Sequence, residues 1–297
     1  MTALRRGLRV LALLALAGAP ACRKESAATG ANERVVSVSK QINEFMFEIG
    51  AQGVIVGRDL TSIYPPEIKS LPSVGYHRAL SAEGITSLKP SLFLTDGNVG
   101  PEPVLDQLRK VGIPILTLEP GRSEDSAQAL MLELGKRFHR EKSADSVVSA
   151  WKAEMTAVRQ DSAAYAGKPV RVLMMHFGQL NNNYLGIASG SPADVMLHLA
   201  GAVNAIDSVG RMTRLTPELI TKTKPDVIIA TDVGFDRLGS AEKFAELPGV
   251  NLTPAGKAKR IYRVDETEIM YFGPRTPATI RKLREILHPA QPATAEQ

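Results

Sequence analysis

Apolar residues recur along this chain with two alternating periods. Short runs of β-branched and apolar residues, typical of buried strands, are separated by segments whose apolar residues repeat at helical spacing. The pattern predicts strands over residues 34–38, 54–57, 92–94, 114–118, 171–175, 227–229 and 261–264, and helices over residues 42–49, 81–87, 101–111, 191–200, 216–223 and 276–287. Strands that alternate with helices indicate an α/β fold with parallel sheets, whose ligand site lies at the carboxyl ends of the strands.

One further helix is predicted to be much longer than the others. Residues 143–165 contain neither Gly nor Pro, and Val148, Trp151 and Met155 recur at helical spacing. At 1.5 Å per residue, such a helix spans roughly 35 Å, which is the width of a small domain. We therefore predict a stiff connecting helix between two lobes, within a segment over residues 141–167, and only a small hinge motion.

A sixteen-residue segment occurs twice in the chain. Residues 80–95 and 215–230 share Leu, Glu, Ile, Thr, Lys and Pro at corresponding positions. These six matches indicate two lobes with a similar scaffold. Upstream, the alignment sets Tyr76 of the first copy against Arg211 of the second. Because the lobes share a scaffold but differ at this position, we expect a ligand between them.

The amino terminus has the composition of an export signal. Residues 1–21 combine three arginines, an apolar run too short to span a bilayer and a final small-residue site, and we predict that they form a cleaved signal peptide. The chain of 297 residues has a formal net charge of +5, so the remainder carries +5 − 3 = +2. Such a small charge gives no basis for binding nucleic acid. The length and the hydrophobic content of 44% suit a globular protein of two domains.

The single cysteine, Cys22, directly follows the small-residue site and has no partner for an intramolecular disulfide. Residues 16–22, Leu-Ala-Gly-Ala-Pro-Ala-Cys, resemble a lipobox, which implies acylation of Cys22 and a flexible tether over residues 22–33. Ala19 stands where that pattern prefers Leu, and Pro20 is unusual there. Two products therefore stay open: a lipoprotein anchored through Cys22 and a freely soluble periplasmic protein.

Six short motifs occur in a fixed order across the mature chain. They lie at residues 64–66, 71–76, 80–84, 247–250, 252–256 and 272–277. Through them the chain resembles the substrate-binding proteins of heme ABC importers, within the helical-backbone class that also includes cobalamin-binding and ferric-siderophore-binding proteins. The resemblance implies a periplasmic binding protein of class III, not an enzyme, that carries heme between two Rossmann-like lobes. We place these lobes at residues 34–140 and 168–297.

The resemblance implies that Tyr76, in the stretch Gly-Tyr-His-Arg-Ala-Leu-Ser, ligates the heme iron. A free phenol has a pKa near ~10, so it ionises at neutral pH only beside a strong Lewis acid or a cation, and ferric heme accepts a tyrosine ligand. If the segment is extended, Tyr76 and Arg78 point to the same side. Arg78 would then stabilise the phenolate or pair with a heme propionate, and His77 would point the other way. The heme iron is the only metal expected.

The second lobe is expected to supply the opposite wall of the cleft. His176 follows the strand over residues 171–175, so it lies at a carboxyl end. Two interpretations of it stay open: a group beside the heme and a hydrogen-bonded loop histidine. Arg211, opposite Tyr76 in the repeat, is a candidate for contacting a propionate across the cleft. Candidates for the apolar walls that a porphyrin needs are Met212, Phe235 and Phe272.

Two acidic residues are candidates for contacting a partner. Glu83 and Glu218 occupy equivalent positions of the repeat, each in the first turn of a short predicted helix. The helix dipole favours a carboxylate there, and capping alone explains both residues. In the resembled class, one glutamate from each lobe docks against arginines of the two permease subunits, which implies that role for these two. The expected partners are therefore heme and an ABC permease dimer with its ATPase subunits, bound by a monomer.

Other functions on the same architecture stay open. Cobalamin and ferric siderophores are ligands of the same class, and a siderophore pocket needs polar or basic groups for an anionic complex. A tetrapyrrole chelatase would be an enzyme of similar shape, but export disfavours it because metal insertion into porphyrins is usually intracellular. The chain has no GxSxG, HExxH or Walker motif, and we assign no catalytic residue.

Overall fold

The computed structural model describes residues 33–177, 184–210 and 212–289, and in them strands and helices alternate. The strands are β1 (Val35–Val38), β2 (Ile55–Arg58), β3 (Leu92–Thr95), β4 (Ile115–Thr117), β5 (Val170–Phe177), β6 (Tyr184–Ile187), β7 (Ala202–Asn204), β8 (Met212–Arg214), β9 (Val227–Thr231) and β10 (Ile261–Val264). The α-helices are α1 (Lys40–Glu48), α2 (Ala82–Thr86), α3 (Glu102–Lys110), α4 (Glu124–Arg137), α5 (Glu141–Ala163), α6 (Pro192–Leu199), α7 (Pro217–Thr223), α8 (Asp232–Leu238), α9 (Ala241–Ala245), α10 (Pro254–Lys257), α11 (Glu266–Ile269) and α12 (Thr276–Leu287). Every strand and helix predicted from the sequence is present.

Several elements escaped the sequence pattern. The strands β6, β7 and β8 have three or four residues each, and the helices α8 to α11 have four to seven. Segments of this length give a weak periodic signal, and the elements of similar length that were predicted lie next to clear Gly, Pro or N-cap positions or in the repeat. Helix α4 did carry a readable signal. Its first turn is capped reciprocally by Ser123 and Ser126, and apolar residues on one face are buried.

Two sheets organise the fold. The first has the strand order β2-β1-β3-β4 and is parallel throughout. The second has the order β10-β9-β5-β6-β8, with β7 beside β5. Its strands β7, β5, β9 and β10 are parallel and repeat the order of the first sheet, whereas β6 and β8 are added antiparallel. The predicted α/β fold of two Rossmann-like lobes is confirmed, and the second sheet gains a mixed edge.

The internal repeat corresponds to a repeated local structure. Ser81 and Thr216 precede α2 and α7, and each side-chain oxygen accepts a hydrogen bond from the backbone N–H three residues on, at 3.3 and 3.2 Å. After these helices, Lys89 and Lys224 both adopt positive φ angles, 47° and 44°, and both precede a proline. The six matching positions therefore mark two copies of one helix, turn and strand.

The similarity continues upstream of the matched segments. Arg34 donates a hydrogen bond to the carbonyl of Leu88 at 2.7 Å, and Arg171 donates one to the carbonyl of Thr223, also at 2.7 Å. Leu88 and Thr223 are equivalent positions of the repeat. The start of β1 is therefore held as the start of β5 is, and the carboxyl ends of these two strands are equivalent places in the two halves.

Helix α5 connects the two halves and packs against both. It contacts α4 on one side of the chain and α6 and α12 on the other. Its buried residues include Val148, Trp151 and Met155, which join a single hydrophobic cluster with residues from both sheets. The indole N–H of Trp151 donates to the carbonyl of Gly273 at 2.9 Å. The predicted long helix is confirmed, and the core that it shares is continuous between the halves.

A buried ion pair ties the carboxy-terminal segment to the first half. Arg275 donates from Nε and Nη2 to the two carboxylate oxygens of Glu44, at 2.9 and 2.8 Å. The guanidinium carbon lies 3.6 Å from the ring centre of Tyr64, and Nη2 also donates to the hydroxyl of Thr267 at 3.0 Å. The side chain of Glu44 is only 4% exposed, so its carboxylate depends on Arg275 for compensation of its charge.

Replacing Arg275 by Ala leaves Glu44 buried without its partner. We expect the free energy of unfolding, measured by urea denaturation, to fall by about 3–5 kcal/mol. Arg109→Ala is the control, because Arg109 pairs with Glu102 and Asp106 on the surface and is half exposed. Equal denaturation midpoints for the two variants would contradict the importance of the buried pair.

Candidate ligand-binding site

Tyr76 begins a tight turn. The N–H of Ala79 donates to the carbonyl of Tyr76 at 2.8 Å, which is the hydrogen bond of a β-turn. Gly75 enters the turn with a φ of 96°, a conformation that glycine adopts without steric cost. The N–H of Gly100 closes the turn from outside by donating to the carbonyl of His77 at 2.9 Å. The segment is therefore not extended, and the alternation of side chains that an extended segment would give does not apply to it.

The turn brings the tyrosine and the histidine together. Tyr76 is half-buried, and its ring centre lies 4.4 Å from that of His77, with an angle of 53° between the planes. His77 therefore lies beside Tyr76 and does not point away from it. Arg78 is exposed, and its Nη2 donates to Oδ1 of Asn98 at 2.6 Å.

A buried carboxylate, which no sequence pattern indicates, lies behind His77. Nδ1 of His77 is 3.6 Å from Oδ2 of Asp59 and 3.4 Å from the hydroxyl of Thr61. Asp59 is 1% exposed and accepts hydrogen bonds from the backbone N–H of Thr61, at 2.9 Å, and from the hydroxyls of Thr61 and Ser62. Burial raises the pKa of Asp59, but the nearby His77 and the hydrogen bonds from Ser62 and Thr61 outweigh it and hold the pKa below its usual value. Asp59 is therefore ionised at neutral pH.

His176 occupies a different setting from the one expected. Strand β5 continues to Phe177, so His176 lies within the strand, where it is 9% exposed. Its Nδ1 is 3.2 Å from the hydroxyl of Thr231, just as the equivalent Ser39 donates to Asp96 at 2.8 Å. Burial lowers the pKa of His176 below its usual value. The residue is thus a neutral, hydrogen-bonded strand histidine rather than a loop histidine.

An ion pair joins the two halves near these strand ends. Lys40, the first residue of α1, lies 2.6 Å from the carboxylate of Glu266, the first residue of α11. Burial raises the pKa of Glu266, but the neighbouring charge of Lys40 and the hydrogen bond that Lys40 donates act against burial, and the pKa is lowered. Lys40, His77 and Asp96 also line one small cavity of about 30 Å³. The carboxyl ends of the two sheets therefore face each other across a polar floor.

Some predicted site residues fall elsewhere. Arg211 and Cys22 lie outside the described residues, as does the predicted signal peptide. Met212 and Phe235 are half-buried. Phe272 is 2% exposed and belongs to the core shared by the two halves. The expectation that Phe272 forms a cleft wall is wrong, because packing between the halves covers it.

Glu83 and Glu218 are both exposed in the first turns of α2 and α7. A backbone hydrogen bond and one with the side chain of Thr216 lower the pKa of the Glu218 carboxyl. Local capping therefore accounts for the placement of Glu218, while its exposed carboxylate faces solvent.

The described residues contain no ready-made cage for a free metal ion. No group of three or more His, Cys, Asp or Glu side chains in them is arranged to hold one. Nor does any helix within the described ranges have the length and apolar character required to cross a bilayer. The donors that the described cleft offers to a ligand are single side chains, with the Tyr76 phenol and the His77 imidazole side by side.

Comparison with known sequences gives a match over most of the chain. A family model described as periplasmic binding protein matches residues 35–268. The uncharacterized ABC transporter substrate-binding lipoprotein YvrC of Bacillus subtilis is 24% identical over 260 residues, which cover 86% of this chain and 80% of YvrC. A vitamin B12-binding protein of Yersinia pestis is 27% identical over 203 residues, which cover 68% of this chain and 70% of that protein.

Solved structures share the same fold. The periplasmic heme-binding protein RhuT from Roseiflexus sp. RS-1, in its apo form, matches with a TM-score of 0.78 at 31% identity. The match covers 86% of this chain and 97% of RhuT, so it includes both sheets and the helix between them. With two facing sheets, a long connecting helix and a family match over residues 35–268, the chain belongs to the periplasmic binding protein family.

Proposed function

We propose that this protein is the extracytoplasmic substrate-binding component of an ABC importer, that it captures heme between its two lobes, and that it delivers heme to a membrane permease without chemical change. The observation that carries this proposal is the half-buried phenol of Tyr76 on a turn that two backbone hydrogen bonds hold. The similarity to RhuT, a heme-binding protein, supports it. A phenolate is a hard donor and suits ferric iron, the form of heme found in an oxidising compartment.

Among the described residues, Arg78 is the best-supported candidate for binding a heme propionate. Its guanidinium is exposed within the Tyr76 turn and donates to Asn98 through Nη2, and an arginine pairs well with a carboxylate. We assign it to a heme propionate. Arg211 remains a proposed partner for the other propionate, on the symmetry of the repeat alone. His176 is proposed as a neutral residue of the cleft floor and not as an iron ligand.

Cobalamin is the second candidate, because the vitamin B12-binding protein of Yersinia pestis is a relative. Ferric siderophores fit less well. The floor carries the carboxylates of Asp59, Asp96 and Glu266, and the ammonium of Lys40 is paired with Glu266. An anionic siderophore complex carries its charge around the iron, whereas heme carries its charge on propionates at one edge of the ring, so this surface disfavours the siderophore more. A chelatase, the remaining alternative, would convert porphyrin and metal ion into heme, whereas a binding protein would take up finished hemin only.

Replacing Tyr76 by Phe removes the proposed iron ligand and little else. We expect hemin affinity to fall at least roughly tenfold, which corresponds to about 1.4 kcal/mol, and the charge-transfer band of the high-spin ferric complex to be lost or shifted. Absorbance titration of the purified proteins measures both. Tyr262→Phe is the matched control, because Tyr262 lies on β10 and packs against the shared core. An unchanged Tyr76→Phe spectrum would exclude Tyr76 as the ligand, and tight binding of cyanocobalamin instead of hemin would favour the second candidate.

We also propose that Glu83 and Glu218 dock the loaded protein on the permease. They occupy equivalent positions of two similar halves, and both are exposed. Two acids at equivalent positions can each contact one of two equivalent permease subunits. Complementary charge would speed and orient the association of the binding protein with the permease. The full partner set of the proposal is heme, the permease dimer and its ATPase subunits, with the binding protein acting as a monomer.

Reversing the charge at both positions, Glu83→Lys with Glu218→Lys, is expected to reduce heme transport into permease-containing vesicles at least roughly tenfold while hemin affinity stays the same. Glu242→Lys is the matched control. Glu242 is an exposed first-turn glutamate whose pKa is lowered by a backbone hydrogen bond and by the side chain of Ser240, much as that of Glu218 is by Thr216. If the control lowers transport as much as the double variant does, docking through the repeat is wrong.

The location that we propose is periplasmic, with Cys22 acylated and residues 22–33 serving as a tether. The lipoprotein YvrC supports this proposal. Cys22→Ser is expected to move the protein from the membrane fraction to the soluble fraction, as followed by fractionation and immunoblotting, because the acyl anchor cannot form without the thiol. An unchanged distribution would mean that Cys22 is not the anchor.

The domain limits at residues 34–140, 141–167 and 168–297 remain predictions.

A further inference from the structure

A second potential iron donor stands directly beside Tyr76. The imidazole of His77 lies 4.4 Å from the phenol ring, centre to centre, and its side chain is 14% exposed. Both residues belong to one turn on one lobe. A ligand that reaches the phenol therefore also comes within reach of the imidazole.

The contacts of His77 indicate which ring nitrogen carries the proton. Arg78 donates to Oδ1 of Asn98 at 2.6 Å, which fixes the orientation of that amide because an arginine only donates. The amide nitrogen Nδ2 therefore faces His77 and lies 3.5 Å from its Nε2. Since an amide NH₂ is a donor, Nε2 is the acceptor and carries no proton. Its lone pair can bind iron when the 3.5 Å contact with Asn98 is given up.

The other side of the ring leads to the same assignment. Nδ1 of His77 faces the ionised, buried carboxylate of Asp59 at 3.6 Å and the hydroxyl of Thr61 at 3.4 Å. Thr61 itself donates to Asp59, so both oxygens can accept the Nδ1 proton. A carboxylate behind one nitrogen, with the other nitrogen unprotonated, is the arrangement that orients histidines which bind metals.

We propose that His77 is an alternative proximal donor for the heme iron, taking ferrous iron through Nε2 where Tyr76 takes ferric iron. This inference rests on the proposed function. Ferric iron is hard and favours the phenolate, whereas ferrous iron is softer and favours imidazole. Both side chains project from the same turn, so they compete for one axial position instead of binding opposite faces of the heme.

The proposed change of iron ligand accompanies the transfer of one electron to the iron. An external one-electron reductant, dithionite in the experiment, reduces Fe(III) to Fe(II). The bond between iron and the Tyr76 oxygen breaks, and the phenolate takes a proton from water. The lone pair of His77 Nε2 forms the new bond to Fe(II), and the proton on Nδ1 stays in place, facing Asp59 and Thr61.

The first test compares reduced hemin complexes of the full-length mature protein. Resonance Raman spectra of wild type treated with dithionite are expected to show an iron–imidazole stretching band, which His77→Gln loses. His198→Gln is the matched control, because His198 is a half-exposed histidine on α6 whose Nδ1 contacts the Asp194 carbonyl of the same helix. A ferrous spectrum of His77→Gln that equals that of wild type would overturn the proposal.

The second test uses ferric hemin without Tyr76. We expect Tyr76→Phe to keep weak hemin binding with an absorption spectrum typical of a nitrogen donor. Adding His77→Gln to Tyr76→Phe is expected to lower the affinity at least a further tenfold. Equal affinities and equal spectra for the single and double variants would overturn the proposal while leaving Tyr76 as the ferric ligand.

The third test addresses the support of the ring. In the Tyr76→Phe background, Asp59→Asn is expected to weaken hemin binding roughly 10–100-fold, the usual effect of removing a partner behind a metal-binding histidine. Because Asp59 is buried, thermal unfolding monitors whether this variant folds. Thr61→Val, which removes the hydroxyl 3.4 Å from Nδ1 of His77, is a second route to the same loss of support. If both folded variants bind as the background does, the assigned support is wrong. Absence of hemin binding by wild type would defeat the proposed function and this inference together.

Discussion

The packing of helix α1 against the carboxy-terminal segment is the contact on which the cleft depends. Gln41 donates to the carbonyls of Gly121 and Phe272, at 3.0 and 2.7 Å, and accepts from the N–H of Gly121 at 2.9 Å. One turn further on, Glu44 receives the guanidinium of Arg275. These contacts are buried and hydrogen-bonded at both ends, so breaking them exposes unpaired polar groups. The start of the same helix then sets Lys40 opposite Glu266 across the cleft.

The floor of the cleft is formed by equivalent strand ends of the two sheets, but the side chains at these ends differ between the two halves. Ser39 bonded to Asp96 in the first half corresponds to His176 bonded to Thr231 in the second. Both pairs lie where parallel strands end, which is where backbone groups and helix starts gather around a ligand in α/β folds. A duplicated scaffold thus presents two similar faces, and the turn at Tyr76 adds a pair of ring donors to one of them.

Long-range hydrogen bonds define the Tyr76 turn, and sequence pattern did not reveal them. Closure by the N–H of Gly100 and support of His77 by Asp59 join residues about twenty positions apart. The sequence around Tyr76 is compatible with both an extended segment and a turn, because glycine at position 75 permits both. Only the turn places His77 beside Tyr76, and that placement turns an ordinary histidine into a candidate donor for iron.

The sequence by itself determined the helices and strands of strong periodicity, the duplication and the connecting helix, because these depend on local spacing. Tyr76 is a candidate ligand through the resemblance to heme-binding proteins. The sequence also indicated the export signal. Tertiary structure alone decided that Phe272 is core, that His176 is buried in a strand, and that Asp59, Lys40 and Glu266 surround the cleft. Glu44 and Arg275 are separated by 231 positions, and no periodic pattern encodes such a pairing. Which side chains meet across two sheets follows from how the whole chain packs.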